Sequence, residues 1–296
     1  MINKKIILGV TGGIAAYKVG ELIRLLKRNG ADIQVVMTKS ATKFISPLTL
    51  QALSGKPVLE NMWEPSKGNG MEHINQSRAS DLIVIAPASA NFIAKVSQGI
   101  ADDLLTNICL ARNCPLLIAP SMNREMWGNP ATKRNVSLIT KDGIVISGPD
   151  NGEQACGEEG MGRLVNEKVL LLDIKKSLSA QLFKNKNILI SCGGTVENID
   201  DARAITNLSS GKMGFSIAES AYAYGANVTL VCGRTDEKPP LGIKSFYASN
   251  HKTMKQVILE KVKNNDIFIS VAAISDYLPK VVLGKLKKKN TRITLE

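Results

Sequence analysis

Apolar residues in this chain fall into short unbroken runs, separated by longer stretches in which they recur every three or four positions. Residues 5–10 (Lys-Ile-Ile-Leu-Gly-Val) form the first run, Thr11-Gly12-Gly13 a tight connection, and residues 14–28 an apolar-periodic stretch closed by Asn29-Gly30. That order predicts strand, loop and helix. Residues 33–37, 82–86 and 116–119 predict three further strands with helix-compatible sequence between them, and residues 143–146 are a candidate fifth. Continuous apolar strands alternating with helices imply a parallel sheet covered on both faces, an α/β fold of the doubly wound kind.

Residues 150–162 break the rhythm. They gather Gly152, Gly157, Gly160 and Gly162 around Cys156 in a polar stretch without periodicity, which predicts an exposed, mobile loop. A helix is expected to about Leu182, and the polar run Lys184-Asn185-Lys186-Asn187 marks a boundary, giving domains 1–183 and 184–296. The pattern then restarts with a strand at 188–191, Cys192-Gly193-Gly194-Thr195, a helix at 213–224 ending at Gly225, and strands at 227–231 and 266–270. This is a second, Rossmann-like α/β unit. After Asp276 the chain turns basic, and residues 291–295 read as an unfinished strand.

A length of 296 residues suits two domains. Aromatic residues make up only 4% of the chain, so aliphatic side chains must build the cores. The net charge of +12 favours anionic partners such as phosphates, carboxylates or nucleotides. Apart from Lys285, Lys287, Lys288 and Lys289 the basic residues are scattered, with no interleaved aromatic platform, which argues against nucleic acid. The five cysteines are odd in number and form no CxxC pair, as expected of a reducing compartment. No apolar run approaches the roughly 20 residues of a membrane span, and no charged-then-apolar leader precedes Lys4, so a soluble, cytoplasmic protein is expected.

Thr11-Gly12-Gly13-Ile14 lies between a strand and a helix, where doubly wound folds bind phosphate: glycine allows close backbone approach and the helix start favours an anion. The spacing is not GxGxxG, so a mononucleotide fits better than a dinucleotide, and a plain tight turn is the bland alternative. Thr38 and Ser40 after the second strand, and Pro87-Ala88-Ser89-Ala90-Asn91 after the third, add hydroxyls and an amide at the same sheet edge, or serve as helix caps.

These segments, together with Met71-Glu72-His73-Ile74, Pro120-Ser121-Met122-Asn123-Arg124-Glu125-Met126-Trp127 and the ACGEEGMGRL run of residues 155–164, resemble the flavin-binding cysteine decarboxylases across essentially the whole first domain. The resemblance implies a flavodoxin-like fold. It implies that Gly12, Gly13, Ile14, Thr38, Ser40, Ala88, Ser89, Ala90 and Asn91 hold FMN, and that His73, Asn123 and Cys156 carry the chemistry of phosphopantothenoylcysteine decarboxylase. Direct loss of carbon dioxide from an N-acylcysteine would leave a carbanion with no electron sink. Flavin creates the sink by oxidising the thiol-bearing carbon, and the hydride later returns. In that scheme His73 assists proton removal, Asn123 orients the substrate carboxylate, and Cys156 closes over the substrate and donates the last proton. Taken without the resemblance, a lone histidine is more often structural, Asn123 a helix cap and Cys156 incidental.

In the second domain, Ser191-Cys192-Gly193-Gly194-Thr195-Val196-Glu197, the stretch from Ile205 through Asn207-Leu208-Ser209-Ser210-Gly211-Lys212 to Gly214, and Ala272-Ala273-Ile274-Ser275-Asp276-Tyr277 are similar to phosphopantothenate-cysteine ligase. That family joins phosphopantothenate to cysteine through a CTP-derived acyl-cytidylate. The resemblance places Asn207 at the acyl intermediate, Ser209, Ser210, Gly211 and Lys212 at phosphate, Asp276 beside the nucleotide and its Mg2+, and Lys285 near the phosphates. Family members continue past this point with CTP-contacting and dimer-forming sequence, so the second domain is expected to be an incomplete ligase. The resemblance also implies a trimer-based homo-oligomer, with flavin held between subunits. Two alternatives are a flavin prenyltransferase, which has no use for Cys156 or Asn123, and a non-catalytic flavin-binding regulator, which could dispense with Cys156 or His73.

Overall fold

The structure, a computed structural model, describes residues 1–62 and 72–285, with Glu72 and His73 described by backbone alone. The expected role of the His73 side chain, the basic residues Lys287, Lys288 and Lys289, and the strand expected at 291–295 lie outside the described residues. The chain forms two compact units, Met1–Leu178 and Ser179–Glu296.

The first unit runs β1 (Lys5–Val10), α1 (Val19–Arg28), β2 (Asp32–Met37), α2 (Pro47–Ser54), α3 (Glu72–Ala79), β3 (Leu82–Ala88), α4 (Ala90–Gln98), α5 (Leu104–Leu110), β4 (Leu116–Pro120), α6 (Arg124–Gly128), α7 (Pro130–Lys141), β5 (Val145–Ile146), β6 (Asp150–Glu153), β7 (Glu159–Arg163) and α8 (Glu167–Leu178). Strands β1 to β5 make one parallel sheet in the order β2-β1-β3-β4-β5, the flavodoxin-like order. Alternation along β1 divides the core: Ile6, Leu8 and Val10 pack with Leu22 and Leu26 of α1 and Ile174 of α8. Ile7 packs on the other face with Phe92 of α4, Ile108 of α5 and Ile139 of α7. All of these side chains are buried, so the aliphatic core that the composition requires is a two-sided one. The stretch at 14–28 is not one α-helix, because a 3-10 turn, Ile14–Lys18, precedes α1.

Residues 150–162 are not an aperiodic loop: β6 and β7 pair antiparallel, with Gly152 opposite Gly160. The glycines hid the strands because Gly152, Gly160 and Gly162 adopt φ of +145°, +158° and +143° and supply no side chain to alternate. The helix expected to about Leu182 stops at Leu178, and Phe183 packs instead on the core of the second unit.

That second unit comprises β8 (Asn187–Cys192), β9 (Val196–Asn198), β10 (Ala204–Thr206), α9 (Lys212–Ala223), β11 (Asn227–Cys232), β12 (Lys244–Tyr247), α10 (His251–Lys261) and β13 (Ile267–Ser270). Its sheet is parallel in the order β12-β11-β8-β13, and β9 and β10 form a separate hairpin. Gly214 lets α9 lie close on β8, since a Cβ there would stand 2.3 Å from Cys192 Cβ. Among the described residues no helix is long and apolar enough to cross a membrane.

Candidate functional site

The strand order of the first sheet reverses between β1 and β3, and the connections leaving their carboxyl ends are tied together. The Thr11 hydroxyl donates to the Pro87 carbonyl (2.7 Å) and accepts from the Ser89 amide (2.9 Å). Gly12 must lack a side chain, because a Cβ would lie 2.5 Å from Ser40 Cβ, whereas a Cβ on Gly13 would meet nothing within 4 Å. Gly13 therefore faces open space. The 3-10 turn starting at Ile14 and helix α4 starting at Ala90 both begin at this cleft, which has a volume of about 630 Å³. Gly12, Gly13, Ile14, Ser89 and Ala90 line one side of it, and Ser121, Asn123, Met126, Gln154 and Cys156 are among the residues of the other.

The remaining residues expected at the flavin do not line this cleft. Ala88 is buried in the core, Asn91 is exposed on α4, and Thr38 and Ser40 do not line the cleft. Thr38 accepts a hydrogen bond from the Ala41 amide, and Ser40 lies behind Gly12. The Thr38 hydroxyl and the Ser40 carbonyl, which accepts from the Lys43 amide (3.3 Å), close the turn after β2.

The far wall is fixed by backbone. The Met122 amide donates to the Gly162 carbonyl (2.9 Å), and a Cβ on Gly162 would lie 2.2 Å from Met122 O. This contact sets the β6–β7 hairpin against the segment after β4 and brings Cys156 to Asn123. Asn123 caps α6, its Oδ1 accepting from the Glu125 amide at 2.8 Å, which leaves Nδ2 facing the hairpin turn. Nδ2 donates to Glu158 Oε2 (2.6 Å) and lies 3.6 Å from Cys156 Sγ and 3.4 Å from Gln154 Oε1. The Cys156 thiol in turn donates to Glu158 Oε2 at 3.6 Å. The Asn123 amide holds the Glu158 carboxyl below its ordinary pKa against a smaller desolvation effect, helped by the Cys156 thiol and the Arg124 guanidinium. Gln154 also accepts from the Arg124 amide (3.1 Å), so Asn123, Cys156, Gln154 and Glu158 form one cluster. Sequence reasoning singled out the first two and missed Gln154 and Glu158, whose only signal was a position two residues to either side of Cys156.

In the second unit several of the candidate residues lie near the carboxyl end of β8. Gly193, at φ +77°, leaves no room for a side chain 2.5 Å from Arg234 O, and the Asn207 amide donates to Ala273 O (3.2 Å) and Ile274 O (3.1 Å). Gly211, at φ +80°, caps α9, Ser210 Oγ accepts from the Lys212 amide, and Lys212 pairs with Glu237 at 3.3 Å. Ser209 lies beside Gly194, while Asp276 and Lys285 are exposed. Among the described residues no group of three or more His, Cys, Asp or Glu is placed to hold a metal ion.

A pair that sequence reasoning did not foresee lies nearby. The buried Glu197 accepts from the His251 amide (2.9 Å), and His251 Nδ1 lies 2.8 Å from its other oxygen. Burial alone would raise the Glu197 pKa, but the His251 and Thr195 hydrogen bonds hold it below the ordinary carboxylate value. Its stabilising contribution is therefore complete above the unfolded carboxyl's pKa and is lost as pH falls through the lower folded value. Glu197→Gln is expected to cost about 1–3 kcal/mol at neutral pH, the penalty of a mispaired buried polar group. Denaturant unfolding should show the gap between the two proteins closing in acid; a gap that stays constant there rules out the carboxylate as its source.

Residues 1–179 match the Flavoprotein family, and residues 183–296 match the DNA/pantothenate metabolism flavoprotein C-terminal domain. The coenzyme A biosynthesis bifunctional protein CoaBC of Vibrio vulnificus (strain YJ016) is 42% identical over 289 residues, covering 98% of this chain and 72% of that protein. This chain belongs to the bifunctional coenzyme A biosynthesis family. Its first unit is similar to solved decarboxylase structures. The FMN-dependent cysteine decarboxylase SpaF is 35% identical with a TM-score of 0.51, covering 57% of this chain and 93% of its own. A cysteine-to-serine mutant of PPC decarboxylase complexed with pantothenoylaminoethenethiol is 31% identical with a TM-score of 0.53, covering 58% and 97% respectively. Membership gives the chain its place in coenzyme A biosynthesis and gives its first unit the flavoprotein fold.

Proposed function

We propose that the first unit is an FMN-dependent decarboxylase that converts 4'-phosphopantothenoylcysteine to 4'-phosphopantetheine. The observation that carries this reading is the pairing of the Asn123 amide and the Cys156 thiol, 3.6 Å apart on one wall of a cleft whose other side is two helix starts and a bare Gly13. A flavin mononucleotide fits that cleft on two grounds. Paired helix starts suit its phosphate, and the open space over Gly13 admits a group that a Cβ would exclude. Gly12, Gly13, Ile14, Ser89 and Ala90 would hold it, with Ala88 and Asn91 in the elements that flank Ser89 and Ala90, and Thr38 and Ser40 in the turn packed against Gly12. When bound, FMN supplies reversible oxidation of the substrate's thiol-bearing carbon. Asn123 Nδ2 orients the substrate carboxylate, Cys156 protonates the carbon that carbon dioxide leaves, and His73 takes the thiol-side proton. The neighbouring structure's ligand, an aminoethenethiol held by a cysteine-to-serine mutant, supports the assignment to Cys156.

The second unit is proposed to ligate phosphopantothenate with cysteine, using CTP and Mg2+. Asn207 would act at the acyl intermediate, Ser209, Ser210, Gly211, Lys212 and Lys285 at phosphate, and Asp276 at the metal. Decarboxylation would thus reside in residues 1–183 and ligation in 184–296. A cytoplasmic, trimer-based homo-oligomer completes the proposal; the exposed Ile14 and Tyr17 beside the cleft supply apolar surface that a second copy could cover.

The test is turnover of 4'-phosphopantothenoylcysteine by the purified protein, with its absorption spectrum recorded on the same sample. A yellow protein that releases carbon dioxide and forms phosphopantetheine supports the reading, and a yellow protein without turnover overturns it. His73→Asn is expected to bind FMN yet release carbon dioxide at least about a hundredfold more slowly, the usual worth of a positioned base. Release at the wild-type rate removes His73 from the mechanism.

A further inference from the structure

Glu158 has no part in the decarboxylation scheme, yet it makes the shortest contact in the cluster, 2.6 Å from Asn123 Nδ2. Its placement is built in. The turn between β6 and β7 is closed by the Gln154 amide on Glu158 O (2.8 Å) and the Gly157 amide on Gln154 O (2.9 Å). Gly157 takes φ +81°, and the side chains of Cys156 and Glu158 on either side of it both reach Asn123. Asn123 cannot turn away, because its Oδ1 is committed to the start of α6. A carboxylate therefore sits on the amide hydrogen donor to which the substrate's own carboxylate must bind, beside the thiol that must reach the adjacent carbon.

We propose that Glu158 is an internal stand-in for the substrate carboxylate, occupying the Asn123 amide until substrate displaces it and returning once carbon dioxide has left. This rests on the decarboxylase reading of the cleft. Two carboxylates cannot share one donor at hydrogen-bond distance without like-charge repulsion, and hydrogen bonding to Asn123 keeps Glu158 in its charged form. A displaced Glu158 has somewhere to go, with Arg124 Nε 3.9 Å from its Oε2. The product has lost its carboxylate and cannot hold Asn123 against Glu158. The exchange thus discriminates the acid that enters from the decarboxylated compound that must leave.

The test measures binding and is independent of turnover. Phosphopantothenoylserine, whose hydroxyl replaces the reactive thiol, and its carboxamide are titrated calorimetrically into FMN-loaded wild-type, Glu158→Gln and Glu158→Ala proteins. Glu158→Ala is expected to bind the carboxylate about tenfold more tightly than wild type, as removal of one competing, partly exposed charge allows. Glu158→Gln, which keeps a weaker neutral acceptor, should lie between. The carboxamide should bind all three proteins within about twofold, which also reports that the variants are folded. Equal shifts for both ligands, or a carboxylate affinity in Glu158→Gln no tighter than wild type, overturns the proposal. Failure of the wild type to release carbon dioxide from phosphopantothenoylcysteine instead overturns the decarboxylase reading, so the two failures are told apart.

Discussion

Cys156→Ser is expected to retain FMN and to release carbon dioxide, but to form phosphopantetheine about 10²- to 10⁴-fold more slowly, the range spanned by loss of a positioned general acid. The thiol stands 3.6 Å from both the Asn123 amide and the Glu158 carboxylate, at the rim of the cleft where the decarboxylated carbon would lie. A serine hydroxyl is nearly isosteric, so the hairpin should keep its shape, but it is a far weaker acid than a thiol. The substrate should then stop at the oxidised enethiol, two mass units lighter than the product by loss of two hydrogens. Mass-resolved single-turnover analysis reads this directly. Phosphopantetheine at the wild-type rate removes Cys156 from the proton-donating role, whereas loss of carbon dioxide release shows that it acts earlier.

The second large effect is expected far from any titrating group. Gly162→Ala asks for a Cβ 2.2 Å from the Met122 carbonyl at φ +143°, a conformation that residues with a side chain rarely adopt. The obstructing atom is backbone, so no rotamer change relieves it. The hairpin must separate from the segment after β4, at a cost of about 2 kcal/mol or more. Asn123 and Cys156 are carried on those two pieces, so their separation by about 1 Å should cost about a hundredfold in turnover. Gly157→Ala is the control: its φ of +81° is also strained for alanine, but nothing lies within 4 Å of the new Cβ. It should cost about 1 kcal/mol and leave the two pieces in contact. Thermal unfolding together with turnover separates the cases, and equal losses in the two variants would show that backbone strain, not the steric contact with Met122, governs the site.

Legibility in the sequence followed side-chain alternation. Strands β1, β3, β4 and β8 are buried on both faces and announce themselves as apolar runs, and β2 does so from Val35 to Met37 despite Gln34. The β6–β7 hairpin does not, because its contacts are made by glycine backbone and its side chains are largely polar and exposed. The same holds for β9 and β10, three residues each and mostly outside the core. At the site, Gly12 and Gly13 were legible because a bare backbone between strand and helix has few other uses. Thr38 and Ser40 were chosen for their hydroxyls; Thr38 accepts from the Ala41 amide, and Ser40 packs against Gly12. Glu158 could not be chosen over Glu159 from sequence, since only the fold shows that Glu158 lies in the turn against Asn123 while Glu159 begins β7.

The Thr11 hydroxyl, bridging the Pro87 carbonyl and the Ser89 amide, makes the loops after β1 and β3 a single piece. An anion arriving at the starts of the 3-10 turn and of α4 meets both already aligned, and no segment has to be ordered on its account. Such a site gains little from faster capture, because diffusion and orientation limit that step for any ligand. Its advantage is expressed in residence time, with the bound group leaving slowly because nothing loosens to let it go.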